Sequence, residues 1–467
     1  MPKSTRPSLR PSVLWSPAAA PDEAMMQYTV GEDRVWDARL LRWDILGSLG
    51  HVEGLRRSGL LSSSDFRRLT AGLRAALRAH ARGDLIIRRA NEDAHSALED
   101  WLTRRLGDTG ARVHTGRSRN DQIACDLRLY LKDALLDLHL RALEWSGVLL
   151  DFARRERASL WPGYTHQRRA MPSSAGLWAA GLAEGAITTA ESLPALWSRV
   201  DRSPLGSAAG YGVPLPLRRE ATMRSLGFGG LDHAVTATQH SRGKLEAAVL
   251  FCCAEIAHDL SRFAADVILL SAEEFGFLTL PPELSTGSSI MPHKRNPDLF
   301  ELTRARAGGV EGDLAAVMAI KAKLTGGYHR DFQLLKAPLF RGLDATGDML
   351  VMMHHALPRL GVNRTRGLES LRGEVLATDE VMRRVEAGTP FRAAYRQVAT
   401  ELQAGTVFLT PSPRDLLLRR RSTGGLGNLG LPALRARVRR MLAWNGRQRR
   451  RFDRAMARLA GRPAAGK

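Results

Sequence analysis

DQIACDLRLYLKDALLDLHLRALEWSGVLLDFARRER, residues 121–157, carries the clearest structural signal in the chain. Ile123, Leu127, Leu131, Leu135, Leu138, Ala142, Trp145, Leu149 and Phe152 follow one another at steps of three or four. That is the spacing of one apolar face of an α-helix. The stretch contains no proline and only Gly147, so nothing in it stops the helix. A periodic run longer than about 25 residues predicts a bundle helix rather than an ordinary globular one.

The same periodicity recurs over 33–60, 64–82, 92–106, 173–200, 240–272 and 298–324. Asp121 and Asp298 are candidate helix starts, the latter directly after Pro297. Gly and Pro gather between these runs, at 107–119, 161–172, 203–216, 276–297 and 325–328, which places loops there. The expected fold is mainly α, with a core of long bundled helices. Its organisation reads as a disordered leader at 1–27, a helical N-terminal domain at 28–113, a central bundle at 114–365 and a helical C-terminal domain at 366–467. Gly424 to Gly430 is glycine-rich but follows no strand, so it does not read as a nucleotide-binding turn.

Composition excludes several classes. Of 467 residues 44% are hydrophobic and 25% charged, the balance of a soluble globular chain. No apolar run approaches the ~18 residues of a membrane helix. Cys125, Cys252 and Cys253 can make neither a disulfide framework nor a zinc site, which predicts a reducing, cytoplasmic setting without metal. The leader has no apolar segment long enough for a secretory signal. The net charge of +21 is uneven: from Arg414 onward 15 Arg and one Lys face only Asp415 and Asp453. The basic end reads as a solvated helix, and nucleic acid is not an expected partner.

Three loops hold side chains suited to chemistry. His114 to Gln122 offers Arg117 and Arg119 for carboxylates, and Asn120-Asp121 either for ligand or for capping the next helix. Gly163 to Pro172 contains His166, a residue that can exchange protons near neutral pH or simply sit on the surface. In Thr286 to Pro297, Gly287 gives a hinge, Ser288 and Ser289 give hydroxyls and backbone N–H groups, and Lys294 gives a fixed positive charge. Such a loop can bind an anion or stabilise a developing negative charge.

Gly-Ser-Ser-Ile-Met-Pro-His-Lys-Arg-Asn-Pro at 287–297 resembles the signature loop of the fumarase/aspartase superfamily. His114 to Gln122, Gly163-Tyr-Thr-His166, Ser203-Pro-Leu-Gly-Ser-Ala-Ala-Gly-Tyr-Gly212, and Tyr328, Gln333 and Lys336 are similar to the argininosuccinate lyase family in particular. So are Tyr28 to Gly31, Asp44 to Ser48, Glu92-Asp93-x-His95 and Pro390 to Tyr395. The resemblance runs from about residue 28 to about 430 and implies that superfamily's bundle fold.

It also implies cleavage of argininosuccinate to arginine and fumarate by β-elimination, in arginine biosynthesis and without a cofactor. By motif position Ser288 is the base, Lys294 and the loop N–H groups stabilise it, His166 is the acid, and Glu301 orients His166. Ser118, Arg119, Asn120, Thr165, Ser289 and Asn296 would hold the succinyl carboxylates, and Tyr328, Gln333 and Lys336 the arginine part. A homotetramer with sites shared between subunits follows from the same resemblance.

Some positions depart from the commoner pattern. Arg168 stands where a Gln commonly contacts substrate, Asp33 where many members have a substrate-contacting Ser and where an aspartate can pair with a guanidinium, and Leu334-Leu335 where an acidic pair is usual. Gln239 to Glu246 replaces a commoner Ser-Asp-Arg-Asp. Two alternatives remain at this level. One is a superfamily lyase for another succinyl or amino-acid substrate; the other is a non-catalytic structural or RNA-binding descendant.

Overall fold

The computed structural model describes residues 22–88, 91–408 and 411–462. The principal helices are α1 (Glu23–Val30), α2 (Asp33–Ala38), α3 (Leu41–Arg57), α4 (Ser63–Ala81), α5 (Ala94–Leu106) and α6 (Arg119–Arg155). After a hairpin of β1 (Leu160–Thr165) and β2 (Arg168–Ser174) come α7 (Ala175–Ala190), α8 (Lys244–Ser271), α9 (Asp298–Lys321) and α10 (Lys336–Ala356). The chain continues through α11 (Ala377–Glu386) and α12 (Phe391–Gln403) to α13 (Leu431–Ala460). Among the described residues every sheet has only two strands.

The 37 residues of α6 make a rod of about 55 Å. It begins two residues before Asp121 because Ser118 is the cap: Ser118 and Asp121 form a reciprocal capping box. Around α6 lie α7, α10 and α13, and α8 runs along α9. One apolar core joins Leu135 and Phe152 of α6, Phe263 of α8, Phe300 of α9, Phe340 of α10 and Phe452 of α13. Each such side chain contributes roughly 1.5–3 kcal/mol by leaving water, which holds a bundle without sheet support. No helix among the described residues is long and apolar enough to cross a membrane.

Three differences from the sequence reading have local causes. The 33–60 run breaks at Arg39-Leu40 into α2 and α3. Helix α10 was not signalled, because Pro338 sits in its first turn and Gly342 interrupts its middle. That proline is tolerated there, and Gly342 lets Leu250 of α8 approach to where a Cβ would lie. The leader at 1–27 lies outside the described residues as far as Pro21, but its last residues are helical: Asp22 accepts the Met25 N–H and starts α1.

The basic end is part of the structure. Leu434, Val438 and Phe452 enter the main core, while Arg437 pairs with Glu184 and Glu191, and Arg449 with Asp133 and Asp137. A small separate core gathers Leu160, Leu371, Val375, Leu376, Leu416 and Leu426.

Candidate functional site

The buried residues of helix α3 are apolar except for a stripe of Asp44, Ser48 and His51, three residues on one face. The 114–122 loop docks on that stripe. Arg117 Nη1 donates to Ser48 Oγ at 2.9 Å, the Thr115 carbonyl lies 2.9 Å from His51 Nε2, and Gln122 Nε2 donates to Asp44 Oδ1 at 3.3 Å. Asp121, wholly buried, accepts the Ser118 N–H with one oxygen and the Gly206 and Ala208 N–H groups with the other. The loop is thus fixed on both sides, and Arg119 and Asn120 are left facing open space.

That space is a cavity of about 270 Å³. Arg119, Asn120, Tyr328, Gln333 and Lys336 all line it, five of the residues the sequence singled out. Its walls alternate in charge. Lys336 is buried and ion-paired to both Asp33 and Asp37. Arg119 reaches Glu92 at 2.7 Å and Asp93 at 3.1 Å, and Arg330 reaches Glu92 at 3.3 Å. Burial, against the pull of Lys336, pushes the Asp33 carboxyl up to about 6, and neighbouring Asp37 adds to the rise. Gln333 Nε2 donates to the Thr29 and Val30 carbonyls, tying the end of α1 to the cavity rim.

Asp33, which the resemblance puts at a substrate-contacting position, lines the same cavity, and so do Asp37, Glu92, Asp93, His95 and Arg330, which were not assigned to the site from sequence. The signal was available for Glu92, Asp93 and His95, which form a recognisable motif. Asp37 gave none, since an acid in an amphipathic helix ordinarily faces water. His95 lies 3.0 Å from Asp44 and 3.8 Å from Asp126, all three buried. Burial opposes the imidazolium, but Asp44, and beyond it Asp93 and Asp126, hold it charged with a pKa of about 10. These are the only His and carboxylate donors among the described residues grouped closely enough to hold a cation. The contacts are those of a buried ion pair with Arg117 nearby, and they reinforce the cavity wall.

The other two loops do not reach this cavity within one chain. Thr165 and His166 sit at the exposed tip of the β1–β2 hairpin, with Thr165 opposite Arg168 in register. His166 and Gln167 are the two turn residues, at φ of 51° and 57°, where Asn-Gly is the usual choice. Both residues carry a side chain in the left-handed region, which costs about 1–2 kcal/mol each relative to glycine. In the third loop, Thr286–Gly287 pairs antiparallel with Arg295–Asn296 and closes a seven-residue excursion. Inside it Ser288 Oγ accepts the N–H groups of Ile290 and Met291, at 3.3 and 3.1 Å. Ser289 and Lys294 are exposed on the same loop, Asn296 is half-buried at its base, and Glu301 is exposed on the first turn of α9. Ser118 serves as the α6 cap beside the cavity.

Comparison with known proteins fits this arrangement. A family model described as lyase matches residues 22–312. The chain is 42% identical over 428 residues to the argininosuccinate lyase of Sorangium cellulosum, covering 91% of this chain and 98% of that protein. It is 40% identical over 386 residues to that of Thermotoga neapolitana, covering 83% and 97%. Among solved structures, an EDDS lyase variant with bound fumarate superposes with a TM-score of 0.79 at 22% identity, over 93% of this chain and 94% of that one. A class II fumarase from Schistosoma mansoni gives 0.66 at 16% identity, over 83% and 91%. The long-helix bundle is therefore of the fumarase/aspartase type, and the chain belongs to the argininosuccinate lyase family.

Proposed function

We propose that the protein cleaves argininosuccinate to arginine and fumarate by β-elimination, a step of arginine biosynthesis carried out in the cytoplasm. The observation that carries this reading is the identity to argininosuccinate lyases over nearly the whole chain. The cavity suits such a substrate. Arg119 supplies charge for succinyl carboxylates. Asp33, Asp37 and Glu92 supply charge for the ammonium and guanidinium groups of the arginine part. Ser118, Asn120, Thr165, Ser289 and Asn296 complete the succinyl side; Tyr328, Gln333 and Lys336 hold the arginine side.

The reaction removes a proton beside a carboxylate and expels a guanidino nitrogen. Ser288 takes the proton. Two backbone N–H groups already point at its oxygen, the arrangement that lowers the cost of an alkoxide, and Lys294 adds positive charge. His166 protonates the leaving nitrogen, and Glu301 orients its ring. No metal or organic cofactor takes part in this scheme.

The active unit is a homotetramer in which the three loops come from different subunits. Two features support this. The catalytic loops and the cavity lie apart within one chain. The central helices also leave apolar side chains uncovered: Phe251 is 56% exposed, Leu302 59%, and Met318 and Val351 each 47%. Gly308, Gly309 and Gly312 of α9 face open space, as closely approaching helices require.

A substrate panel tests the function. Argininosuccinate, adenylosuccinate, aspartate and malate all yield fumarate when eliminated, and fumarate is read by its ultraviolet absorbance. Release from argininosuccinate alone supports the reading; release only from another member of the panel overturns it.

A further inference from the structure

Apart from Arg439 and Arg440, which are exposed earlier along the helix, the arginines of α13 divide into two sets. Arg435, Arg437 and Arg449 pair with carboxylates of the helices beneath them. Arg447, Arg450, Arg451, Arg454 and Arg458 do not: none has an ion pair among the described residues, and all are exposed. Their spacing of three, one, three and four residues puts them on one face of the helix, over roughly 16 Å of its length. With Arg224 they line a cleft of about 650 Å³ in which no acidic side chain appears. A second cleft of about 470 Å³ shares Arg224 and Arg458 and adds Arg57, Arg74 and Arg218, with Glu53 its one acid.

Five like charges at i, i+3 and i+4 spacing oppose helix formation, each pair by a few tenths of a kcal/mol. Of the five, the fold uses only Arg458, whose Nη2 donates to the Arg224 and Ser225 carbonyls at 3.2 and 2.9 Å. Asp453, within the tract's own sequence, and Asp137 already face Arg449. A single anion would use one or two guanidinium groups; a line of five requires a line of negative charge. Of the aromatic groups at this end of the helix, Phe228 and Phe452 are buried and Trp444 packs on His139, so the tract offers no exposed ring among the described residues on which a base could stack.

We propose that this arginine tract, remote from the cavity and independent of the lyase reaction, binds a linear chain of phosphate groups through its charges alone. Inorganic polyphosphate and the backbone of a single-stranded nucleic acid share that chemistry, and the test separates them.

The full-length protein is titrated calorimetrically with sodium polyphosphate of about twenty phosphates, then with a twenty-nucleotide oligouridine, at several salt concentrations. The expected result is polyphosphate binding that weakens with salt at a log–log slope of about −3 to −4, the value for five neutralised phosphates. The R450Q/R451Q/R454Q variant should bind at least tenfold more weakly with a slope reduced by about two. R372Q/R392Q/R396Q, the same loss of charge on exposed residues elsewhere, should bind as the parent does. Equal binding of the oligouridine identifies a nucleic-acid backbone as an acceptable source; binding of polyphosphate alone identifies the inorganic chain. No binding of polyphosphate at low salt, binding of the oligouridine alone, or equal loss in both triple variants would overturn the proposal.

Discussion

The Asp121 carboxylate accepts the backbone N–H of Ala208 at 2.9 Å, joining the start of the longest helix to a loop 87 residues further along. The same oxygen accepts the Gly206 N–H, and the other closes the Ser118 capping box. Ala208 holds a φ of 51°, a conformation that alanine rarely adopts and that these bonds sustain. Replacing Asp121 by Asn puts an amide N–H₂ against backbone donors. The Asp121→Asn variant should lose about 2 kcal/mol of unfolding free energy in urea titration. An unchanged midpoint would mean that the carboxylate does not fix the loop.

His95 makes stability depend on pH. Its folded pKa of about 10 exceeds the ordinary 6.5, so its contribution is fully present below pH 6.5 and is lost as pH rises through 10. Thermal unfolding of the parent should fall between pH 7 and 10 more steeply than that of His95→Gln. Parallel curves for the two proteins would show that the Asp44–His95 pair is not charged.

At Lys336, one ammonium neutralises two buried carboxylates. The Lys336→Met variant leaves Asp33 and Asp37 facing each other uncompensated, and should lose about 3 kcal/mol or more. Asp33, with its carboxyl near 6, should also make substrate binding weaken as pH falls from 7 to 5. KM in the parent should rise over that range, and KM in Asp33→Asn should stay flat.

The hairpin turn separates strain from chemistry. Gln167→Gly relieves a left-handed residue and should stabilise the protein by about 1 kcal/mol with kcat nearly unchanged. His166→Asn keeps a side chain that tolerates the turn but cannot exchange the proton, and kcat should drop by roughly 10²–10⁴. Retained activity in His166→Asn would remove His166 from the reaction.

The long helices were legible because their apolar faces repeat over many turns; α6, α8 and α9 each lie within two to four residues of the run read for them. Helix α10 was not, because Pro338 and Gly342 interrupt the sequence pattern of a helix whose burial is one-sided. The hairpin was hidden by Pro162 and Pro172, which stand opposite each other in the ladder and read as loop residues. Of the site, the motif residues could be named from sequence, but their companions could not. Asp37 meets Lys336 across 299 residues, and nothing near either one announces the other. The pairing along α13 was equally invisible: charge counting gives a basic end, but only the packing shows which arginines have partners.

The most direct measurement is fumarate release from argininosuccinate by the purified protein and its Ser288→Ala variant, followed by ultraviolet absorbance, with the oligomeric state of both confirmed. Ser288 receives two backbone N–H groups and is the proposed base. The parent should release fumarate, and the variant should assemble identically yet release at least a hundredfold less. A correctly assembled parent that leaves argininosuccinate intact, or a variant as active as the parent, would contradict this account.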